Sequence, residues 1–416
     1  MSENKRYTQQ ESTPKRVPSI LNKRRLLPGD KVLWVIVAMF FAISLVVVYT
    51  ASSQLGFREG TIDKEFQKHC VTILLSAIAL FGCYIIGVNL MNRFTTAFYA
   101  FTVLLTIAPY FIGGATNDAH RWLDFGFIRF QPSEFLKIGT IMFLAAQLSA
   151  KHHRIKDIHL LPTTFDIRKW WRDPKEREII KNEVIPIVMP IAISCAVILP
   201  DHTSSAIHIF IVSMVLLFIA RIRGKELGKL IGIAAVLGLI MLFAFGRIET
   251  VTNRMINRIE GTATDSYYSQ MAIQNGGVFG VGAGRSMMRA KLTHPESDYL
   301  FAVIVEEFGL FISFVIILLY LWLFFRSLRI FEKCEWLYPG LLAVGLALLV
   351  TSQGFMHISV TLGIMPETGQ NLPFLTHGKT GMICASIAVG LILSISRQIE
   401  QDTLVPPSQR NLNKHI

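Results

Sequence analysis

Asp298 is the residue best placed for chemistry. The stretch 276–309, GGVFGVGAGRSMMRAKLTHPESDYLFAVIVEEFG, runs from a glycine-rich loop through a charged turn into an apolar helix, and the carboxylate stands at the helix mouth. Gly280, Gly282 and Gly284 let the backbone approach a ligand with no Cβ between them. A carboxylate where water gives way to hydrocarbon is costly unless it faces protein, a cavity or a cation, so a functional role is expected. The competing role is structural, with Ser297 or Asp298 capping the helix by accepting backbone N–H bonds.

Other charges point the same way. In QPSEFLK, Glu134 and Lys137 stand three residues apart on one helix face and can pair, bordering a polar cavity or merely neutralising each other. Pro132 suits the first turn of that helix, where its missing N–H costs nothing. Arg121 and Trp122 in AHRWLDFG combine a fixed cation with an aromatic plate suited to a phosphate or a sugar face; a snorkelling Arg beside an interfacial Trp is the simpler reading. PDHTSS at 200–205 and LPFLTHGKTG at 372–381 add Asp201, His202, His377 and Lys379. The histidines have no HExxH or similar spacing, so no histidine-bound metal is expected.

These residues need a membrane scaffold. The chain has 416 residues, of which 52% are hydrophobic and 17% charged, with a net charge of +12 and a mean hydropathy of +0.46. This composition predicts an all-α polytopic membrane protein and no nucleic-acid partner, because the basic residues flank apolar spans. Five cysteines without CxxC or Cys/His spacing indicate neither a disulfide framework nor a zinc site.

Apolar runs recur at about 32–51, 69–88, 94–113, 132–149, 184–200, 203–220, 227–246, 300–325, 337–360 and 380–396, predicting about ten transmembrane helices. Loops on the side of the termini hold 28 of the 41 Lys and Arg residues and the opposite loops 12, which puts both termini in the cytoplasm. The glycine loop, the HRWLDFG–QPSE stretch and GIMPETGQNLPFLTHGK then all face the outside. Residues 1–31 read as a disordered basic cytoplasmic tail and 397–416 as a cytoplasmic C-terminal tail. The basic loop 150–183 reads as cytoplasmic and interfacial, with Trp170 and Trp171 at headgroup depth, and 247–299 as a large extracytoplasmic loop between spans 7 and 8.

Five ordered motifs, HRWLDFG with QPSEFLK, PDHTS, GGVFGVGAG, SDYLFAVIVEEFG and GIMPETGQNLPFLTHGKTG, resemble the SEDS family (shape, elongation, division and sporulation) over residues 32–396. Loop spacing and the tail ISRQIEQ look more like FtsW, the division member, than RodA, the elongation member. The resemblance implies a peptidoglycan glycosyltransferase of the bacterial cytoplasmic membrane. Such an enzyme polymerises lipid II into glycan strands at the outer face, with inversion and an undecaprenyl diphosphate leaving group. It implies Asp298 as the essential acidic residue, with Glu134 and Lys137 in support. It also implies a class B penicillin-binding protein transpeptidase and division-complex membrane proteins as partners. The leaving diphosphate needs cations, from Arg121, Lys137 or a divalent ion such as Mg2+. Two motifs depart from the family pattern: LTHPESD has its proline moved to 295, and HGKTG carries Lys379 where glycine is common. Transport of the same lipid-linked precursor is the alternative function, and an elongation polymerase the alternative subtype.

Overall fold

The computed structural model describes residues 27–59, 62–112, 123–124, 129–162, 172–244, 264–376 and 379–404, with 248–249, 252–253 and 256 between them. Helices occupy all ten apolar stretches: α1 (Lys31–Glu59), α2 (Ile62–Ile85), α3 (Val88–Ile107), α4 (Pro132–Ala150), α5 (Ile185–Ile198), α6 (Thr203–Ile219), α7 (Gly224–Ala244), α9 (Leu300–Lys333), α10 (Leu337–Thr361) and α11 (Lys379–Leu404). An eleventh, α8 (Thr264–Gly276), lies in the long loop, and a short antiparallel ladder pairs Leu123–Asp124 with Arg129–Phe130. The chain is an all-α membrane protein in which, among the described residues, seven helices are long and apolar enough to cross a membrane.

Local sequence sets the helix starts. Gly29, at φ 106, turns the chain, and Asp30 Oδ1 accepts the Val32 N–H at 2.9 Å to open α1. Asp173 does the same for Lys175 N–H at 3.0 Å, ahead of Pro174 and a π-helical turn at Ile180–Val184 that leads into α5. Pro132 occupies the first turn of α4.

α10 and α11 form the centre, since 78% and 72% of their apolar windows are buried, against 39% or less for the other five. α10 packs against α4, α6, α9 and α11, and α11 lies along α2. At one end of the bundle Asp30 pairs with Arg326, Gly29 N–H donates to Glu400 Oε2 at 2.6 Å, and Arg397 donates to the Ile85 carbonyl at 3.0 Å. These bonds fasten the ends of α1, α2, α9 and α11 together. Two expected boundaries therefore move. α11 continues to Leu404, past the expected span end at 396, and residues 28–30 are bonded to the bundle; residues 1–26 lie outside the described residues.

The basic loop is fastened too. His159 N–H donates to Glu183 Oε2 at 2.6 Å and Leu160 N–H to Glu226 Oε2 at 3.1 Å, with Lys229 on Glu226 at 2.7 Å. Trp170 and Trp171 lie outside the described residues.

Candidate active site

The opposite end of the bundle gathers the polar motifs around one irregular segment, residues 362–376, that descends between the helices. Ser204 Oγ donates to the Thr368 carbonyl at 2.6 Å, His357 Nδ1 to Gln370 at 2.8 Å, Gln353 Nε2 to Asn371 at 3.2 Å, and Tyr320 O–H to Pro373. Gln353 lies eight residues before the end of α10, so Asn371 sits about 12 Å below that end. Non-helical backbone at such depth persists only when protein satisfies its polar groups, and these four side chains do so. Gln370, Leu372, Phe374 and Leu375 are buried, and Phe374, at φ 66, stacks on Phe40 with ring centroids 5.1 Å apart.

Asp298 is half-buried at the lip of this segment. It is not the helix cap: the N-cap of α9 is Tyr299, which makes no side-chain capping bond. Among the described residues the Asp298 carboxylate has no hydrogen bond or ion pair. Its backbone is held instead by the His294 carbonyl, which accepts N–H groups from Ser297, Asp298 and Tyr299 at 3.3, 3.0 and 3.3 Å. Oδ2 faces Gly369, at φ 61, where a Cβ would lie 3.8 Å from Asp298 Oδ2 and 3.6 Å from His202 Nε2. Tyr299 O–H donates to Glu367 Oε1 at 2.7 Å, clamping the Asp298 turn to the descending segment. Burial first, and the Glu367 carboxylate second, push this phenol well above its ordinary value, so it remains a donor at any working pH.

Glu134 and Lys137 form the expected pair, at 2.8 Å and almost fully buried. Lys137 Nζ also donates to Gln353 Oε1 at 3.0 Å, and Gln353 in turn holds Asn371. The pair therefore supports one end of the stretch 369–371, while Asp298 stands over the other, a separation of no more than about 7 Å along the backbone. Arg121 and Trp122 lie outside the described residues. The chain after them is anchored where Gln131 N–H donates to Thr380 Oγ1 at 3.0 Å.

The glycine loop has a structural task that the sequence did not reveal. α9 breaks at Gly309 (φ 81, ψ 175), where Leu310 and Phe311 would otherwise donate to Glu306 and Glu307. The loop takes over both bonds: Val281 and Gly282 N–H donate to Glu306 and Glu307 carbonyls at 2.9 and 3.1 Å, and Gly277 and Val278 carbonyls accept from Leu310 and Phe311 at 3.0 and 3.2 Å. A Cβ on Gly280 would lie 2.2 Å from the Glu307 carbonyl oxygen, and one on Gly276 2.1 Å from that of Val305. Gly280 is thus pressed against α9. Gly282 and Gly284, at φ 107 and 72, shape the return of the loop, and a Cβ on Gly282 would meet only the Arg285 side chain. The buried Glu306 carboxylate fixes that return by accepting from Ser286 Oγ and from the N–H groups of Met287 at 3.2 Å and Met288 at 3.3 Å. Arg289, whose guanidinium burial pushes down while Glu296 and Glu307 oppose the shift, donates to the Thr50 carbonyl at 3.4 Å and so ties the loop to α1. Gly280→Ala is expected to cost about 3 kcal/mol and release the loop, seen as faster proteolysis near residue 285 with the helix content kept.

Among the described residues no group of three or more His, Cys, Asp or Glu side chains is placed to hold a metal ion.

The chain is thus an all-helical membrane bundle with a carboxylate set over a buried polar segment. The chain belongs to the FTSW_RODA_SPOVE family, described as cell cycle protein, which matches residues 30–401. It is 26% identical over 383 residues to the probable peptidoglycan glycosyltransferase FtsW of Haemophilus influenzae, covering 89% of this chain and 90% of that protein. It is 28% identical to stage V sporulation protein E of Bacillus subtilis, covering 88% and 97%. Among solved structures, Thermus thermophilus RodA superposes with a TM-score of 0.58 at 21% identity, covering 90% and 98%. A chain of a structure described as coordinating polymerization and crosslinking in a peptidoglycan synthase complex gives 0.66 at 20%, covering 90% and 99%.

Proposed function

We propose that this protein is a peptidoglycan glycosyltransferase that polymerises lipid II at the outer face of the bacterial cytoplasmic membrane, with a division role. Relatives named as peptidoglycan glycosyltransferases support the reaction class. The observation that carries the site assignment is Asp298, a half-buried carboxylate with no hydrogen bond or ion pair among the described residues, set over a segment braced by a buried ion pair.

In the reaction an acceptor sugar hydroxyl attacks the donor's anomeric carbon, the bond to the diphosphate breaks with its electron pair, and the hydroxyl proton passes to Asp298. A single displacement inverts the centre. The diphosphate leaves as an anion and needs no general acid, only positive charge, for which Arg121 is the candidate. Lys137, fully buried between Glu134 and Gln353, acts by holding the segment beneath Asp298. We assign a divalent cation such as Mg2+ to the substrate's diphosphate. A class B penicillin-binding protein is the proposed transpeptidase partner, and division-complex membrane proteins are further proposed partners.

The test is polymerisation of purified lipid II by the purified protein, alone and with a class B penicillin-binding protein. Glycan strands are expected; translocation of lipid II across vesicles without polymer would instead support a transporter. Ten spans with both termini in the cytoplasm complete the reading. A reporter after residue 165 is expected to read cytoplasm and one near 262 the outside, and the same side for both would overturn the span count.

A further inference from the structure

His202 shares a small space with Asp298, and its neighbours determine which of its nitrogens carries the proton. Gln370, buried in the descending segment, donates Nε2–H to Ser205 Oγ at 2.8 Å. A hydroxyl has one hydrogen and two lone pairs, so with Gln370 donating to it Ser205 keeps its own hydrogen available for its other close partner, His202 Nδ1. A neutral imidazole that accepts at Nδ1 carries its proton at Nε2. That nitrogen borders the place where a side chain at residue 369 would sit, and Asp298 Oδ2 borders it too, at 3.6 and 3.8 Å from the position of a Cβ. Gln370 is itself held from behind, because its carbonyl accepts from His357 Nδ1 at 2.8 Å. The result is a braced line, His357–Gln370–Ser205–His202, that ends on an N–H donor facing the space beside the carboxylate. Gly369 is what leaves that space open.

We propose that His202 is a positioning residue for Asp298. When substrate closes the site, His202 Nε2–H donates to Oδ2 and leaves Oδ1 to take the proton of the acceptor hydroxyl. This rests on Asp298 being the base of the proposed reaction. The ionisable groups near this space are Asp298 itself, Tyr299 and Glu367 on the two clamped loops, His357 on α10, and Asp201 beside His202. Of these, His202 Nε2 and Asp298 Oδ2 both border the space above Gly369.

The experiment compares purified full-length wild type, His202→Ala, His202→Gln and Ser205→Ala in lipid II polymerisation across pH, with thermal unfolding as a folding control. A hydrogen bond to a charged group contributes enough that His202→Ala is expected to lower kcat about 10- to 100-fold with KM within about twofold. Losing a donor to the charged carboxylate disfavours its ionised form, so the acidic limb of the kcat profile is expected to move to higher pH. His202→Gln, whose amide reaches the Nε2 position, is expected to recover most of the rate. Ser205→Ala, which keeps the ring but frees its tautomer, is expected to show a smaller shift of the same sign. Wild-type kcat in His202→Ala overturns the proposal, and so does a loss with an unmoved acidic limb and no rescue by glutamine. If Asp298→Asn polymerises normally, the reading of Asp298 fails first; if Asp298→Asn is inactive while His202→Ala is normal, only the positioning role fails.

Discussion

Asp298→Asn is expected to insert and fold as the wild type does and to form no glycan strands. Asparagine is nearly isosteric with aspartate, and the cap of α9 is Tyr299, so the substitution removes no capping bond. Since no hydrogen bond or ion pair engages the carboxylate among the described residues, a purely structural Asp298 would tolerate the change within about 0.5 kcal/mol. A base cannot. Asparagine takes up no proton near neutral pH, and general-base assistance contributes roughly 10² to 10⁴ in rate. The measurement is polymer length and yield from lipid II at matched membrane expression. Asp298→Glu serves as a geometry control, in which the extra methylene would press the carboxylate into the gap above Gly369 and keep only a small part of the rate. Near wild-type polymer from the asparagine variant would remove Asp298 from the chemistry.

The fold was legible where it depends on composition. Each apolar run became a helix, as expected where the backbone must satisfy its own polar groups. Asp298, Glu134 and Lys137 were legible for the complementary reason, since a charge in such a setting is rarely incidental. The glycine loop was legible as a loop, but its task was not. VIVEEFGLFISFV reads as one continuous helix, and nothing local reveals that its Gly309 break is filled by a segment some thirty residues earlier. Backbone-to-backbone contacts such as Gly280 on Glu307 leave no side-chain pattern for periodicity to detect.

The descending segment escaped for a related reason. PETGQN is polar and reads as an outer loop, while the groups that allow it to enter the bundle, Ser204, Tyr320, Gln353 and His357, are scattered through three helices and look individually unremarkable. The same holds for Gln370 and Ser205. Their significance comes from contact across 165 residues of chain, which only the fold supplies.

Glu134→Ala is the other substitution expected to have a large effect. It leaves the Lys137 ammonium fully buried with Gln353 as its one remaining acceptor among the described residues, and breaking a buried pair by removing one partner costs about 3 to 5 kcal/mol. Lys137→Ala is expected to be as damaging by a second route, since it strips the carboxylate of its cation and also frees Gln353, which holds the Asn371 carbonyl beneath Asp298. The exchange Glu134→Lys with Lys137→Glu separates these effects. It restores the ion pair on the same helix face. It also sets a carboxylate against Gln353 Oε1, acceptor facing acceptor, and the amide can turn only by releasing Asn371. The exchange is therefore expected to recover most of the thermal stability lost in either single variant but only a minor part of the polymerisation rate. Unfolding temperature and glycan-strand yield, measured on the same preparations, check this. Equal recovery of both would mean that the pair serves only to neutralise itself, and equal loss in all three would mean that each charge acts alone.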